Sequence, residues 1–457
     1  MAIVRICLAT VLSCVTAVPA AAQQEWSLEE QVHETSFGRA VSRGIQNPAL
    51  TERSMNVPDV TARYLCAALS LVASACAPSD EPASVEVRDS AGIRIVTSRA
   101  PANEPGTLTV GPDPILSLGG EGTELHLVRG ATMLSADRLL VATSTELLLY
   151  GPDGRLLRRH GGEGEGPGEY RLITAVVRDS QGIVVWDLLR SRTYYSPELE
   201  LIGEESIDAA RVRAVAPYFA VPHPITREVV LISANRMLEH EPATGDVFRP
   251  PWLHALLRLD TGKADTLVEH GGGFEEVYFG NSRSVARYLS PYWRAAVGPN
   301  DHIFITDGST LELHEFDVDG RLVRIVRRDV PLRPITAEEL ELARTRSVSI
   351  LRQSRSEAEV ERQLRMIPAP TTFPALDDLV VDATGLIWAR ETVGPKDSTT
   401  TWAVFSPDGQ WLTQVTVPGI LKPLEIGSDY MVASRRDELD REFIHVFNVH
   451  RDLPQNQ

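Results

Sequence analysis

The stretch His302-Ile303-Phe304-Ile305-Thr306-Asp307-Gly308 follows a turn, Gly298-Pro299-Asn300-Asp301, and five other stretches repeat its pattern. They are Arg138 to Ser144 (RLLVATS), Gly182 to Leu188 (GIVVWDL), Glu228 to Ala234 (EVVLISA), Gly385 to Glu391 (GLIWARE) and Asp429 to Arg435 (DYMVASR). Each is a short apolar, β-favouring run bounded by Gly, Asp, Asn or Pro, which is the signature of a strand between turns. The intervals between their starts are 44, 46, 74, 83 and 44 residues. Three of these match the length of one four-stranded propeller blade, and the two longer ones require insertions.

Two further phases support this repeat. Tight turns recur at Gly151-Pro152-Asp153-Gly154, Asp260-Thr261-Gly262, Asp317-Val318-Asp319-Gly320 and Ser406-Pro407-Asp408-Gly409, with a degenerate one at Ser196-Pro197-Glu198. Asp-Gly pairs supply the positive φ that hairpins require. Gly-Gly runs after Leu118, His160 and His270 mark the passage between units. The last unit ends with one strand after its start, Phe443 to His450. Pro114 to Gly120 is expected to provide its missing outer strand, because such closure removes an open edge. The expected fold class is therefore all-β: a six-bladed β-propeller over residues 108–457, with an N-terminal strand closing the last blade.

The insertions are expected in different forms. Asn235 to Trp252 carries Pro242, Pro250 and Pro251 and reads as a long loop. Residues 336–366 read as two tandem helices and the only helical segment of the body. Thr336 with Glu339 and Ser356 with Glu359 have capping-box spacing, and Pro334 and Pro368 bracket the pair.

The first 76 residues have a different character. All four cysteines, Cys7, Cys14, Cys66 and Cys76, lie there, so the body can hold neither a disulfide framework nor a thiolate metal site. Residues 1–23 read as a secretory signal ending at Ala20-Ala21-Ala22. A second export-like segment runs from Met55 through Tyr64 to Val72 and ends in Ala73-Ser74-Ala75-Cys76, which is similar to a bacterial lipobox. Residues 1–76 are expected to be an export signal region with Met55 as the true start and Cys76 as the lipid attachment site. Residues 77–107 are a linker with the first strands. Neither apolar stretch reaches the roughly 20 residues needed to span a bilayer. The expected location is the outer membrane or periplasm as a lipid-anchored protein, or a soluble periplasmic or secreted form.

Of 457 residues, 45 are Lys or Arg and 62 are Asp or Glu, giving a net charge of −17. Such a chain lacks the electrostatic footprint for nucleic acid, and no nucleic-acid partner is expected. With His160 to Tyr170 (HGGEGEGPGEY), Asp89 to Val96 (DSAGIRIV) and Asp377 to Asp382 (DDLVVD), the chain resembles bacterial six-bladed propellers of NHL-like type across about residues 85–450. That resemblance implies the fold and is nearly silent on chemistry. It includes lyases that place zinc on histidines from separate blades. Here His126, His160, His223, His270 and His302 share no single blade phase, so no metal site is carried over. No cofactor is expected, and neither zinc nor calcium is supported.

Local motifs read structurally. Gly161 to Gly168 lacks a following helix and is expected to be an interblade loop, since a phosphate cradle needs helix amides. Asp317 and Asp319 are expected in a hairpin turn, because no further oxygens follow at calcium-loop spacing. There is no G-x-S-x-G. By the resemblance, Asp187 followed by Arg190, and Asp307 at the same phase, begin loops facing one channel mouth. They are the candidate ligand-binding residues, against a turn-capping role through side-chain to backbone bonds. The helical insertion is expected over that mouth or beside it. The expected function is binding or scaffolding of a protein, peptide or glycan ligand at the envelope, with a lyase or hydrolase using a metal at the channel mouth as the alternative.

Overall fold

The computed structural model describes residues 84–104, 106–120, 125–217, 220–238, 240–280, 283–352 and 355–453. The export segment, Met55 and Cys76 lie outside the described residues.

The chain is all-β, and most of its strands form four-stranded up-and-down sheets of the kind that make propeller blades. It begins with a hairpin, β1 (Val85–Ser90) and β2 (Ile93–Ser98), followed by the short strands β3 (Leu108–Val110) and β4 (Leu116–Gly119). The first sheet comprises β5 (Gly130–Ser135), β6 (Arg138–Ala142), β7 (Glu146–Tyr150) and β8 (Leu156–Gly161). The second comprises β9 (Ile173–Asp179), β10 (Gly182–Asp187), β11 (Ser191–Tyr195) and β12 (Leu201–Ser206). Helix α1 (Ala209–Val215) leads to the third sheet, β13 (Ala220–Pro224), β14 (Val229–Asn235), β16 (Trp252–Arg258) and β17 (Ala264–His270). Between them β15 (Val247–Phe248) joins β18 (Glu276–Gly280) and β19 (Arg283–Ala286) in a small rim sheet. The fourth sheet is β20 (Arg294–Val297), β21 (Ile303–Thr306), β22 (Glu312–Phe316) and β23 (Leu322–Arg328). Helices α2 (Ala337–Arg352) and α3 (Glu357–Met366) follow. The fifth sheet is β24 (Asp378–Val381), β25 (Ile387–Arg390), β26 (Thr399–Phe405) and β27 (Trp411–Pro418). The sixth is β28 (Lys422–Ile426), β29 (Tyr430–Arg436) and β30 (Glu442–Arg451), with β4 antiparallel to β30 through Phe443↔Gly119 and Val446↔Leu116.

The repeated apolar run is long because a middle strand is buried on both faces. In β6, Leu139 and Val141 pack into one core cluster with Val432, Ile444 and Val446 of the sixth sheet. The intervening Leu140 and Ala142 pack the other way, with Ile173, Ile183 and Val185 of the second. Side chains alternate across a strand, so one run of apolar residues feeds two interfaces. Similar clusters lie between the second and third, third and fourth, fourth and fifth, and fifth and sixth sheets. The outer strands β8 and β12 are mostly exposed, and their charged residues match that position.

The turn chemistry holds. Gly320 sits at φ +84, where its N–H donates to the Asp317 carbonyl at 2.9 Å, and Asp317 Oδ1 accepts the Arg321 N–H at 2.8 Å. These two aspartates therefore serve a hairpin. In the degenerate turn the left-handed position falls to Leu199, at φ +62, whose side chain is buried in the core between the first two sheets. The Gly161–Gly168 stretch is a loop held by Tyr170, whose N–H donates to Gly162 at 2.9 Å and whose hydroxyl lies 2.6 Å from that of Tyr195.

Several sequence expectations need correction. Helix α1 is short, and its start is held by the Asp208 side chain accepting the Ala210 N–H at 2.9 Å, so 336–366 is not the only helical segment. Asn235 to Trp252 is not wholly loop, because β15 within it pairs with β18. The Thr336–Glu339 capping box forms in both directions, but Ser356 makes no side-chain cap bond. Strands β1 and β2 fall within residues 77–107, where first strands were expected, and this hairpin extends the fourth sheet, with β2 running parallel to β23.

Candidate functional site

In an antiparallel pair the start of one strand faces the end of the next. Arg294 pairs with Thr306, Asp378 with Arg390 and Lys422 with Ser434, so these residues gather at one end of the innermost strands. There they surround a cavity of about 950 Å³, within the size range of ligand sites. It reaches from His223 on β13 across the fourth, fifth and sixth sheets.

One wall is aromatic and comes largely from residues outside the regular repeat. Phe274 stacks on Tyr292 with ring centroids 4.2 Å apart, and Trp293 meets His223 edge-on at 5.8 Å. Behind this wall His254 and His270 lie 5.0 Å apart. Burial lowers all three imidazoles, His223 to about 4, so they act as neutral aromatic rings. His254 Nδ1 is 2.8 Å from Ser233 Oγ, and both residues are fully buried. That pair is a core hydrogen bond closed to substrate, not an exposed nucleophile.

The opposite wall is charged. Arg390 donates through Nε to Asp377 at 2.6 Å and through Nη1 to the Leu421 carbonyl at 3.0 Å, linking the fifth and sixth sheets. Asp377 also accepts the Val393 N–H at 3.0 Å. Asp437 is held below the usual carboxylate range, chiefly by its hydrogen bond to Arg441. Among the described residues, no group of three or more His, Cys, Asp or Glu is arranged to hold a metal ion.

Asp187, Arg190 and Asp307 are absent from the cavity walls. Asp187 is buried and its Oδ1 accepts the N–H groups of Arg171 and Leu172 at 3.2 and 2.8 Å. Arg190 Nη1 lies 3.7 Å from Asp187 Oδ2. Asp307 takes Ser309 N–H at 2.9 Å and pairs with Arg249 at 3.0 Å, which fastens the rim insertion to the fourth sheet. The same sixth position of the repeat carries Arg390 and Ser434 in the fifth and sixth units, and these two do line the cavity. The repeat position that singled out Asp187 and Asp307 thus carries cavity-lining residues in the fifth and sixth units, whereas Asp187, Arg190 and Asp307 themselves line none of it. Lys422 and Arg435 were missed. A compositional signal existed for the first, since it is one of three lysines in the whole chain.

The helical insertion contributes no residue to the cavity walls and docks at the same end. Glu338 pairs with Lys396 at 2.6 Å, and the Pro368 carbonyl accepts from Arg287 Nε at 2.9 Å.

The rim sheet holds a titratable group. Burial pushes the Glu276 carboxyl up to about 7, although a hydrogen bond from Ser284 opposes the shift. The unfolded carboxyl ionises near 4.5, so the folded state binds the extra proton between these values. Its stabilising contribution is full below pH 4.5 and is lost as pH rises through 7. Glu276→Gln mimics the protonated form. The variant is expected to match wild type in urea unfolding at pH 4.5 and to exceed it by about 3 kcal/mol at pH 8. Equal stability at pH 8 would refute the buried-acid assignment.

No protein-family model matches the chain, and no curated protein does. Solved structures of similar shape include a member of the DUF4221 family from Bacteroides vulgatus, 12% identical, with a TM-score of 0.44, covering 75% of this chain and 99% of that one. A calcium-binding protein, regucalcin, from Agrobacterium tumefaciens is 11% identical with a TM-score of 0.35, covering 75% of this chain and 95% of that one. Virginiamycin B lyase from Staphylococcus aureus is 8% identical with a TM-score of 0.34, covering 73% and 98%. At such identities and TM-scores these proteins assign neither ligand nor activity to this chain. No helix among the described residues is long and apolar enough to cross a membrane.

Proposed function

We propose that this chain is an exported, envelope-associated propeller of six blades that binds a small molecule or peptide at one channel mouth. The observation that carries the reading is the cavity of about 950 Å³ where inner strands of the third to sixth sheets end. Such a concave site, with an aromatic wall and a few convergent polar groups, is the usual form of a ligand pocket. The six-bladed ring is supported by core clusters between each consecutive pair of sheets, including the sixth and first. Closure by the N-terminal strand is supported by the β4–β30 pairing. Export and anchoring at Cys76 are supported by the export-like segments alone.

The test is differential scanning fluorimetry of the full-length protein, taken from its native membrane fraction, against a library of metabolites and short peptides. Ile420, on the cavity wall, is changed to Trp to fill the space. At least one compound is expected to raise Tm in wild type by several degrees and to have no effect on Ile420→Trp. Hits that stabilise both forms equally would move the binding site elsewhere. Intact mass of the same preparation is expected to match a lipidated chain starting at Cys76. An unmodified species starting near Gln23 would remove the anchor from the reading.

A further inference from the structure

The charge of the cavity opposes that of the chain. The protein carries −17 overall, yet the cavity walls carry six cations, Arg294, Arg390, Lys422, Arg435, Arg436 and Arg441, against four carboxylates. Most of those carboxylates are engaged. Asp377 bonds Arg390 and the Val393 N–H, Asp437 bonds Arg441, and Asp378 lies 3.8 Å from Arg390.

Three cations are not neutralised in this way. Arg294 spends its hydrogen bonds on two main-chain carbonyls, those of Asp377 at 2.6 Å and Trp293 at 2.9 Å. Lys422 and Arg435 form no ion pair among the described residues and are exposed on the sixth sheet. A concave site with surplus positive charge and low-dielectric walls focuses its field on the bound molecule. His223, kept neutral by burial, adds no charge to this balance, and with Trp293, Tyr292 and Phe274 it makes the other wall aromatic.

We propose that the ligand is an organic anion: a carboxylate, sulfonate or phosphate carried on a flat apolar body. Its charged group meets Lys422, Arg435 and Arg294, and its body lies against the wall of Trp293 and Phe274. This inference rests on the cavity being the ligand site.

Two fluorescent probes of one shape separate the two ideas. The first is 8-anilinonaphthalene-1-sulfonate, and the second is N-phenyl-1-naphthylamine, the same ring system without the sulfonate. The full-length protein is titrated with each at low salt and at about 0.5 M NaCl, where exposed charge is screened beyond a few ångströms. The sulfonate is expected to bind about tenfold more tightly at low salt, a margin that shrinks with added salt. Lys422→Gln with Arg435→Gln is expected to remove most of that margin and leave the neutral probe unchanged. Both residues are exposed, and near-UV circular dichroism checks that the variant keeps its fold.

Equal affinity for the two probes, or a sulfonate affinity untouched by the double variant, would overturn the anion inference. If both probes are lost from Ile420→Trp in that case, the cavity remains the ligand site. If Ile420→Trp affects neither probe, the cavity reading fails, and the anion inference with it.

Discussion

A chain that begins at residue 121 is expected to aggregate or unfold, whereas one that begins at Ser84 stays folded and elutes without aggregate. The shorter chain lacks β4, whose residues Leu116–Gly119 pair along β30. Without them the ten-residue strand β30 presents a row of unpaired N–H and C=O groups, a template for other chains. The core is damaged too. Leu118 is 4% exposed and packs with Leu139, Val141, Ile444 and Val446, and Leu108 and Val110 of β3 pack between the fifth and sixth sheets. Losing one buried leucine costs about 2–5 kcal/mol, and several such losses rival the whole stability of a protein of ordinary 5–15 kcal/mol. A chain that begins at residue 101 loses only hairpin β1–β2, of which β1 is almost wholly exposed, and is expected to suffer less. Size-exclusion chromatography and thermal unfolding rank the three. A monomer from residue 121 with an unchanged Tm would show that β4 does not hold the sixth sheet.

Asp382→Ala is expected to destabilise the protein by about 3–5 kcal/mol, among the largest effects of any single substitution. Asp382 is buried after β24. One oxygen accepts the Thr384 N–H at 2.8 Å, the Thr384 hydroxyl at 2.7 Å and the Leu386 N–H at 3.0 Å. The other accepts Trp388 Nε1 at 2.8 Å and Arg451 Nη1 at 2.8 Å. Alanine would strand the buried Trp388 indole N–H and the Thr384 and Leu386 amides, and would remove the carboxylate facing Arg451, whose guanidinium keeps its bonds to the Ser428 and Gly427 carbonyls. The damage extends between sheets, because Arg451 ends β30. Asp382→Asn keeps an acceptor and is expected to lose less, since an amide oxygen can still take the turn's donors. Urea unfolding of both variants decides the matter. A loss below about 0.5 kcal/mol for alanine would mean that water replaces the carboxylate freely.

Much of the fold was legible because its signals are local. The Thr336–Glu339 box and the Pro-Asp-Gly turns act within a few residues, and the structure contains both. The outer strand at Pro114 to Gly120 was legible for another reason: a last unit one strand short leaves an edge to be filled. The rim sheet was not visible, since β15 is two residues long and finds β18 across an intervening blade strand pair. Helix α1 escaped because seven residues are too few for a periodic pattern.

The candidate site divides in the same way. The sequence repeat determined which residues share the sixth position of each unit, and the resemblance to NHL-like propellers, not the spacing, implied that this position faces one channel mouth. Neither could say which of the six such positions face open space. Asp187 and Asp307 are consumed by neighbouring loops, through main-chain N–H groups in one case and Arg249 in the other. Arg390 and Ser434 face the cavity. That difference arises from packing: the Arg171–Leu172 segment and Arg249 take up the two aspartates away from the cavity, while Arg390, bonded to Asp377, still lines it. The strand repeat is thus a property of sequence. The cavity and its surplus positive charge belong to the tertiary structure, since only folding brings Arg294, Lys422 and Arg435 around one volume.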